Sequence, residues 1–422
     1  MPEPNLLDMD CRVCGRRDVE EVLDLGDQPH CNSLLTPDQL DRPEPVYPLR
    51  LGFCRTCTTS QIDFTVPKET MFSDYLYVSG TTTALRDHFR HSAGRLVDRL
   101  GLQPGDLVVD IGSNDGTWLK AFQDLGLTGL GVEPAANLAE QAERDGVRTL
   151  NAFFDADVAQ RILSGGRPPK LVTAAGVFFH LEELHSATEG VAALCGAGAT
   201  FCVQAIYLGG MIENNAFDQI YHEHLTYWNL TSFERLLDRH GLEVLSVEVV
   251  PIHGGSLELL VGAKGAARPD STVAPFREHE RERGLTEIGT YRAFADRVWA
   301  IRDRLIEQLE EHRAADRSVH AFGAPAKGAT LLNSFRITPE LVQVAVERNP
   351  LKVGRTIPGC RIPIVEEGSI DEPDAYLMLP WNFLDEFVAR RSDYLEGGGE
   401  FIVPIPEPHV VRASAAHQRA RP

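Results

Sequence analysis

Apolar and β-branched residues fall in short runs separated by stretches of helical periodicity, and the run at residues 107–111 sets the frame for the rest. Leu107, Val108 and Val109 lead into Asp110, and a glycine-bearing turn at 112–116 is followed by a helical pattern from Thr117 through Phe122. This order of strand, loop and helix is the opening of a doubly wound α/β unit. A helix over about 82–100 precedes it. A strand ending in Glu133, a helix to about 144, strands at 171–175 and 199–205, a helical pattern at 232–239 and strands near 245–249 and 256–261 continue it. Arg and Glu interleave over 271–313, which predicts a charged linker helix with its charges mostly solvated. Beyond it, a strand, glycine loop and helix recur at 318–333, with short strands ending at Glu347 and at 376–379. The fold class is α/β. The expected divisions are a Cys-bearing lobe at 1–70, a central Rossmann-like domain at 71–250, a second Rossmann-like domain at 251–410 and a disordered tail at 411–422.

Composition narrows the class. A chain of 422 residues with 43% hydrophobic and 24% charged residues is an ordinary multidomain globular protein. No apolar run reaches the roughly 18 residues that span a bilayer, and the first residues carry no signal-peptide pattern, so a cytoplasmic location is expected. The formal net charge of −20 disfavours nucleic-acid and anionic-membrane partners. An anionic substrate must then find its cations locally. The chain is expected to act as a monomer.

Eight cysteines without a secretory signal read as metal ligands or buried thiols. Cys11 and Cys14 form one Cys-x-x-Cys knuckle, and Cys54 and Cys57 form another. Two such knuckles place four thiolates around Zn2+, and with every position filled by cysteine the metal is structural. Cys31 is a spare thiol, and His30 reads as a surface histidine.

The central turn reads Gly-Ser-Asn-Asp-Gly, which lacks the glycine spacing of a dinucleotide fingerprint. Asp110, Gly112, Asn114, Asp115, Gly116, and Glu133 with Pro134 about twenty residues on, suit S-adenosylmethionine better, because that cofactor has ribose hydroxyls and a charged amino-acid end but no phosphate. Gln204 comes from a further strand end at the same edge. A generic glycine turn is the alternative. Tyr75 and Tyr77 alternate before the first long helix, so one faces a ligand while the other packs, or both are half-buried at a domain junction.

The densest chemistry is Tyr221, His222, Glu223 and His224 in succession, with His180 just past a strand end. Histidine titrates near neutral pH and suits a general base that a carboxylate can orient. The segment is not His-Glu-x-x-His and offers no third ligand, so acid–base work is favoured over a catalytic metal. In the C-terminal unit, Lys327, Lys352 and Arg355 supply cations at loops where a nucleotide diphosphate meets helix N–H groups. Gly323, Glu347 and Asn382 stand at the same strand ends.

The chain resembles the sugar C-methyltransferases of antibiotic deoxysugar pathways, the family of the tetronitrose C-3-methyltransferase. The matching features are the paired knuckles, Asp-Ile-Gly-Ser-Asn-Asp-Gly at 110–116, Tyr-His-Glu-His at 221–224, Gly-Ala-Pro-Ala-Lys-Gly-Ala-Thr-Leu-Leu-Asn at 323–333, Asn-Pro-Leu-Lys-Val-Gly-Arg at 349–355 and Ile-Pro-Gly at 357–359. The resemblance implies a zinc lobe, a central S-adenosylmethionine domain and a C-terminal domain that helps bind the nucleotide of a dTDP-linked keto-deoxysugar. It implies His224 as the base, with Tyr221, Glu223, His180 and Tyr75 around the sugar and Tyr77 among the substrate contacts. The expected reaction is proton removal α to the ketone, with C-3 favoured, followed by methylation of that carbon. C-5 methylation, O- or N-methylation of a related sugar and a reductase-like nucleotide-sugar protein are the rivals. The choice between His222 and His224 rests on the resemblance alone.

Overall fold

The computed structural model describes residues 5–72, 78–81, 83–252 and 254–413. Three sheets organise it. The first begins with β1 (Val19–Gln28), β2 (Tyr47–Cys54) and β3 (Ser60–Ile62), antiparallel neighbours, followed by the short α1 (Lys68–Phe72).

The central layer follows α2 (Thr83–Leu100). It runs β4 (Leu107–Ile111), α3 (Thr117–Asp124), β5 (Thr128–Val132), α4 (Ala136–Arg144), β6 (Thr149–Leu150), α5 (Ala156–Ser164), β7 (Leu171–Ala175), α6 (Leu184–Gly196), β8 (Thr200–Ile206) and α7 (Leu208–Glu213). Strands 4 to 8 pair in parallel, and their near-continuous apolar runs are buried on both faces by the helices. Strand β9 (Thr226–Tyr227) leaves this layer and pairs with β3, so the zinc-lobe sheet carries a strand from the middle of the chain. After α8 (Leu230–Arg239), the hairpin of β10 (Leu242–Val250) and β11 (Ser256–Ala263) closes the central sheet antiparallel to β8. The order is β10-β11-β8-β7-β4-β5-β6, and its direction of winding reverses at β4 and β7. The central sheet thus extends past residue 250, to Ala263.

The charged stretch is two helices, α9 (Val273–Glu282) and α10 (Ile288–Ala314), parted at Gly284, whose φ is +67°. The expectation of a single helix fails at Gly284, whereas its charges are mostly exposed as expected and the opposite face is apolar. Tyr291, Phe294, Val298, Ile301, Leu305 and Leu309 recur every three or four residues and are buried as one stripe. Tyr291 meets the Phe53 ring at 4.7 Å, which packs α10 on the N-terminal lobe.

The third sheet comprises β12 (Val319–Phe322), then α11 (Ala326–Ser334), β13 (Ala345–Glu347), β14 (Ile364–Glu366), β15 (Ala375–Met378), α12 (Leu384–Arg390), α13 (Ser392–Glu396), β16 (Glu400–Val403) and β17 (His409–Val411). It is parallel except for β17, in the order β14-β13-β12-β15-β16-β17. Its winding reverses between β12 and β15. Val411 pairs with Phe401, so the chain is ordered beyond the expected start of the tail; residues 414–422 lie outside the described residues. No described helix is long and apolar enough to cross a membrane.

Candidate active site

The two knuckles meet. Gly15 turns the first at φ +70° and Thr58 the second at +62°, bringing Cys11 Sγ to 3.5 Å from Cys57 and Cys14 Sγ to 3.6 Å from Cys54. All four sulfurs lie within 4.8 Å of one another. A tetrahedral zinc with Zn–S of about 2.3 Å sets its sulfurs about 3.8 Å apart, so the four thiols fit the ion. Hydrogen bonds from the Cys54 and Cys57 thiols, joined by the Gln61 amide, pull Cys11 well below the ordinary thiol range.

A cleft lies where the central winding reverses, at the ends of β4 and β7, the edge at which doubly wound sheets take ligands. Ser79, Phe89, Asp110, Gly112, Asn114 and Trp118 line it. Gly112 has φ +66°, and a Cβ there would come within 2.5 Å of Val177, so only glycine keeps the turn this close to its neighbour. Glu133 accepts from the Asn114 and Ala135 backbone N–H groups, one on each carboxylate oxygen at 2.8 Å, and burial pushes its pKa up. A carboxylate fixed in this way keeps lone pairs for ribose hydroxyls. Asp110 accepts from Thr173 Oγ1 at 2.7 Å, and burial raises its pKa to about 7. Asn114 sits at φ +52° and its side chain accepts from Ser79 N–H, while Asp115 accepts from Gly80 N–H and from Thr117 at the start of α3. Gly116 is the N-cap of α3 at φ +76°, and the Pro134 carbonyl accepts from Asn151. Gln204 lies in a buried network: its amide oxygen pairs with His88 at 3.1 Å and its amide nitrogen donates to Glu258 at 2.6 Å.

At the same edge of the sheet, residues 217–224 lie where all three lobes converge. His224 Nδ1 is 2.8 Å from the Gln219 carbonyl, its ring is 3.9 Å from that of Tyr221, and the His180 ring is 5.1 Å away. A carbonyl only accepts, so Nδ1 carries a proton, and in the neutral ring Nε2 is the nitrogen with the lone pair. His180 Nδ1 donates to the Glu223 carbonyl, and burial lowers the His180 pKa, which keeps this imidazole neutral. Burial raises the Tyr221 pKa, so its phenol keeps a proton to donate. His222 points elsewhere: Nε2 donates to the Pro48 carbonyl at 3.2 Å and the ring meets Tyr47 edge-on. Tyr75 and Tyr77 lie outside the described residues.

Residues at the strand ends of the C-terminal sheet contact this segment. Gly323 turns at φ +74° after β12, and Ala324 N–H donates to Glu347, whose other oxygen accepts from Arg348 and Asn349 N–H groups. Lys327 Nζ bonds Asn382 at 2.5 Å, lies 4.1 Å over the Trp381 ring and stands 3.9 Å from Asp218. Trp381 Nε1 donates to Asp218 at 2.7 Å, joining the C-terminal domain to the loop that carries His224. Burial lowers Lys327 to about 8 despite the Asp218 charge. Lys352 donates to the Ala324 carbonyl at 2.8 Å, and Arg355 is half-buried in the following turn.

Three family models match in succession: "Putative zinc binding domain" over residues 11–72, "Methyltransferase domain" over 85–247 and "C-methyltransferase C-terminal domain" over 251–406. Over 411 residues the chain is 36% identical to the C-methyltransferase NovU of Streptomyces niveus, spanning 96% of this chain and 97% of that protein. The chain belongs to this C-methyltransferase family. Among solved structures, the complex of the Haloferax volcanii Trm112 methyltransferase activator with a methyltransferase aligns at 19% identity, over 44% of this chain and 94% of the matched chain, with a TM-score of 0.35. The magnesium protoporphyrin IX methyltransferase of Synechocystis aligns at 14% identity, over 43% and 79%, with a TM-score of 0.32.

As a member of the family, the protein is an S-adenosylmethionine-dependent C-methyltransferase with a zinc site at its four N-terminal cysteines. Several residues around its loop carry no local sequence signal. His30, read as a surface histidine, is 6% exposed and lies 3.0 Å from Glu223. Asn32, Asp218 and Trp381 are equally silent in the sequence.

Proposed function

We propose that this C-methyltransferase acts on a dTDP-linked 4-keto-deoxysugar, removing a proton α to the ketone, with C-3 favoured, and methylating that carbon. The observation that carries the reading is the His224 tautomer: Nδ1 is committed to the Gln219 carbonyl, which leaves Nε2 basic beside a protonated Tyr221. A C–H next to a ketone becomes removable when the developing enolate oxygen meets a positioned donor, and the Tyr221 phenol is that donor. His180, neutral and tied to the Glu223 carbonyl, orients the sugar. His222, bonded to Pro48, is a structural residue in this reading. S-adenosylmethionine supplies the electrophilic methyl group. Asp110, Gly112, Asn114 and Glu133 hold the cofactor. Lys327, Lys352 and Asn382, with the Gly323 turn, receive the nucleotide diphosphate, Glu347 lines the same nucleotide site, and Arg355 adds charge at the rim.

Solvent deuterium exchange into the dTDP-4-keto-deoxysugar, followed in the presence of S-adenosylhomocysteine, tests the reading. Exchange at the carbon beside the ketone is expected. A sugar methylated on oxygen or nitrogen with no such exchange would remove it, and binding of NAD(H) without S-adenosylhomocysteine would favour the reductase-like rival.

A further inference from the structure

Glu223 is held from a distant part of the chain. The segment after β1 crosses to the central domain, where Asn32 Nδ2 donates to Glu223 Oε1 at 2.5 Å and His30 Nε2 approaches the same oxygen at 3.0 Å. The His30 ring is fixed at its other end, with Nδ1 3.1 Å from Ser33 Oγ. The Glu223 side chain is 1% exposed. Burial alone would raise its pKa, yet the His30 and Asn32 contacts pull it down to about 2, so the loop holds a carboxylate rather than a carboxylic acid. The same residue's backbone carbonyl takes the proton of His180 Nδ1, and the next residue is His224.

We propose that Asn32 and His30 are positioning residues of the proton-transfer site, acting through Glu223 to set His180 and His224. The proposal rests on the base assignment made above. One amide donor and one imidazole at ion-pair distance hold the side chain of a residue whose main chain sets one imidazole and adjoins another. The zinc lobe thereby has a catalytic duty as well as a structural one: its sheet carries β9 just after the loop, and the segment following β1 clamps the loop itself. His30, Cys31 and Glu223 also gather three potential ligand atoms within 4.8 Å. A cation there is the rival explanation. The Asn32 N–H₂ group aimed at Glu223 argues against it, because a bound cation would repel that donor.

The test is the solvent-exchange rate in full-length protein, alongside S-adenosylhomocysteine affinity, melting temperature and zinc content. Asn32→Ala should slow exchange by about 10- to 100-fold, the loss typical of a misplaced reacting group, with the other three readouts unchanged. His30→Gln, which keeps an N–H donor, should retain most of the rate, and His30→Leu should match Asn32→Ala. In a Glu223→Ala background, adding Asn32→Ala should cost less than about 2-fold, because the two act as one unit. Wild-type rates in Asn32→Ala, or a full additional loss in the Glu223→Ala background, would overturn the proposal. Loss of a second zinc per chain in the His30→Leu protein would overturn it in favour of the metal. If Asn32→Ala fails to fold, the two His30 variants decide alone: equal rates in both sink the idea. Absence of exchange in the wild-type protein would instead strike the base assignment beneath it.

Discussion

His224 Nδ1 and the Gln219 carbonyl oxygen are 2.8 Å apart, and this one bond decides which nitrogen of the ring is basic. His224→Asn should therefore abolish turnover and solvent exchange, a loss of at least the ~10²- to 10⁴-fold that positioned proton transfer contributes. Affinity for S-adenosylhomocysteine, measured by calorimetry, should stay within a few-fold of wild type, since the cofactor cleft is built from other elements. His222→Asn should lose far less activity; the reverse ranking would exchange the roles of the two histidines.

A second expectation concerns pH. The Lys327 ammonium is lowered to about 8 by burial, so it is charged below that pH and neutral above it. If it receives the diphosphate, kcat/KM for the nucleotide sugar falls as pH rises through about 8, while kcat at saturation is less affected. Lys327→Arg keeps its charge across this range and should remove the alkaline fall. A profile identical in wild type and Lys327→Arg would take Lys327 out of anion binding.

The parts of this site that were legible in the sequence are those whose chemistry is local. Cys-x-x-Cys spacing, the glycine turn after Asp110 and the Tyr-His-Glu-His run each carry their proposed chemistry within a few residues. The parts that were illegible join distant segments: Asn32 meets Glu223 across 191 residues and Trp381 meets Asp218 across 163. No periodicity reports such a contact. His222 and His224 are chemically identical in the sequence, and only the carbonyl each one faces separates them. In α10 the apolar stripe was present in the spacing but lay beneath interleaved Arg and Glu, because solvated charges on a helix reveal nothing about its opposite face.

Removing the metal should reach further than the lobe that binds it. Structural zinc contributes apparent free energies of about 10–16 kcal/mol in small fingers, more than a lobe of this size holds in reserve. Cys14→Ser, or prolonged chelation, should release the zinc and lower the melting temperature. It should also abolish activity, because β9 pairs with β3 and the Pro48 carbonyl holds His222. Full activity in metal-free protein would separate the lobe from the loop.

Cofactor affinity should carry its own acid limit, set by Glu133. Its two oxygens already accept from the Asn114 and Ala135 N–H groups, and only the ionised form can do so while also accepting from ribose hydroxyls. Burial raises its pKa, so the carboxylate protonates at a pH above the usual glutamate range and the cofactor is lost earlier on acidification than an exposed acid would allow. Glu133→Ala removes a charged acceptor whose hydrogen bonds contribute about 1.5–3 kcal/mol, and should weaken S-adenosylhomocysteine binding about 10- to 100-fold at neutral pH. Glu133→Gln keeps one acceptor oxygen and should fall between, with a smaller acid loss than wild type from neutral pH downward, the remainder belonging to Asp110, whose pKa burial raises to about 7. Calorimetric titration of the three proteins across that range measures both effects. Unchanged affinity in Glu133→Ala would place the ribose against another group.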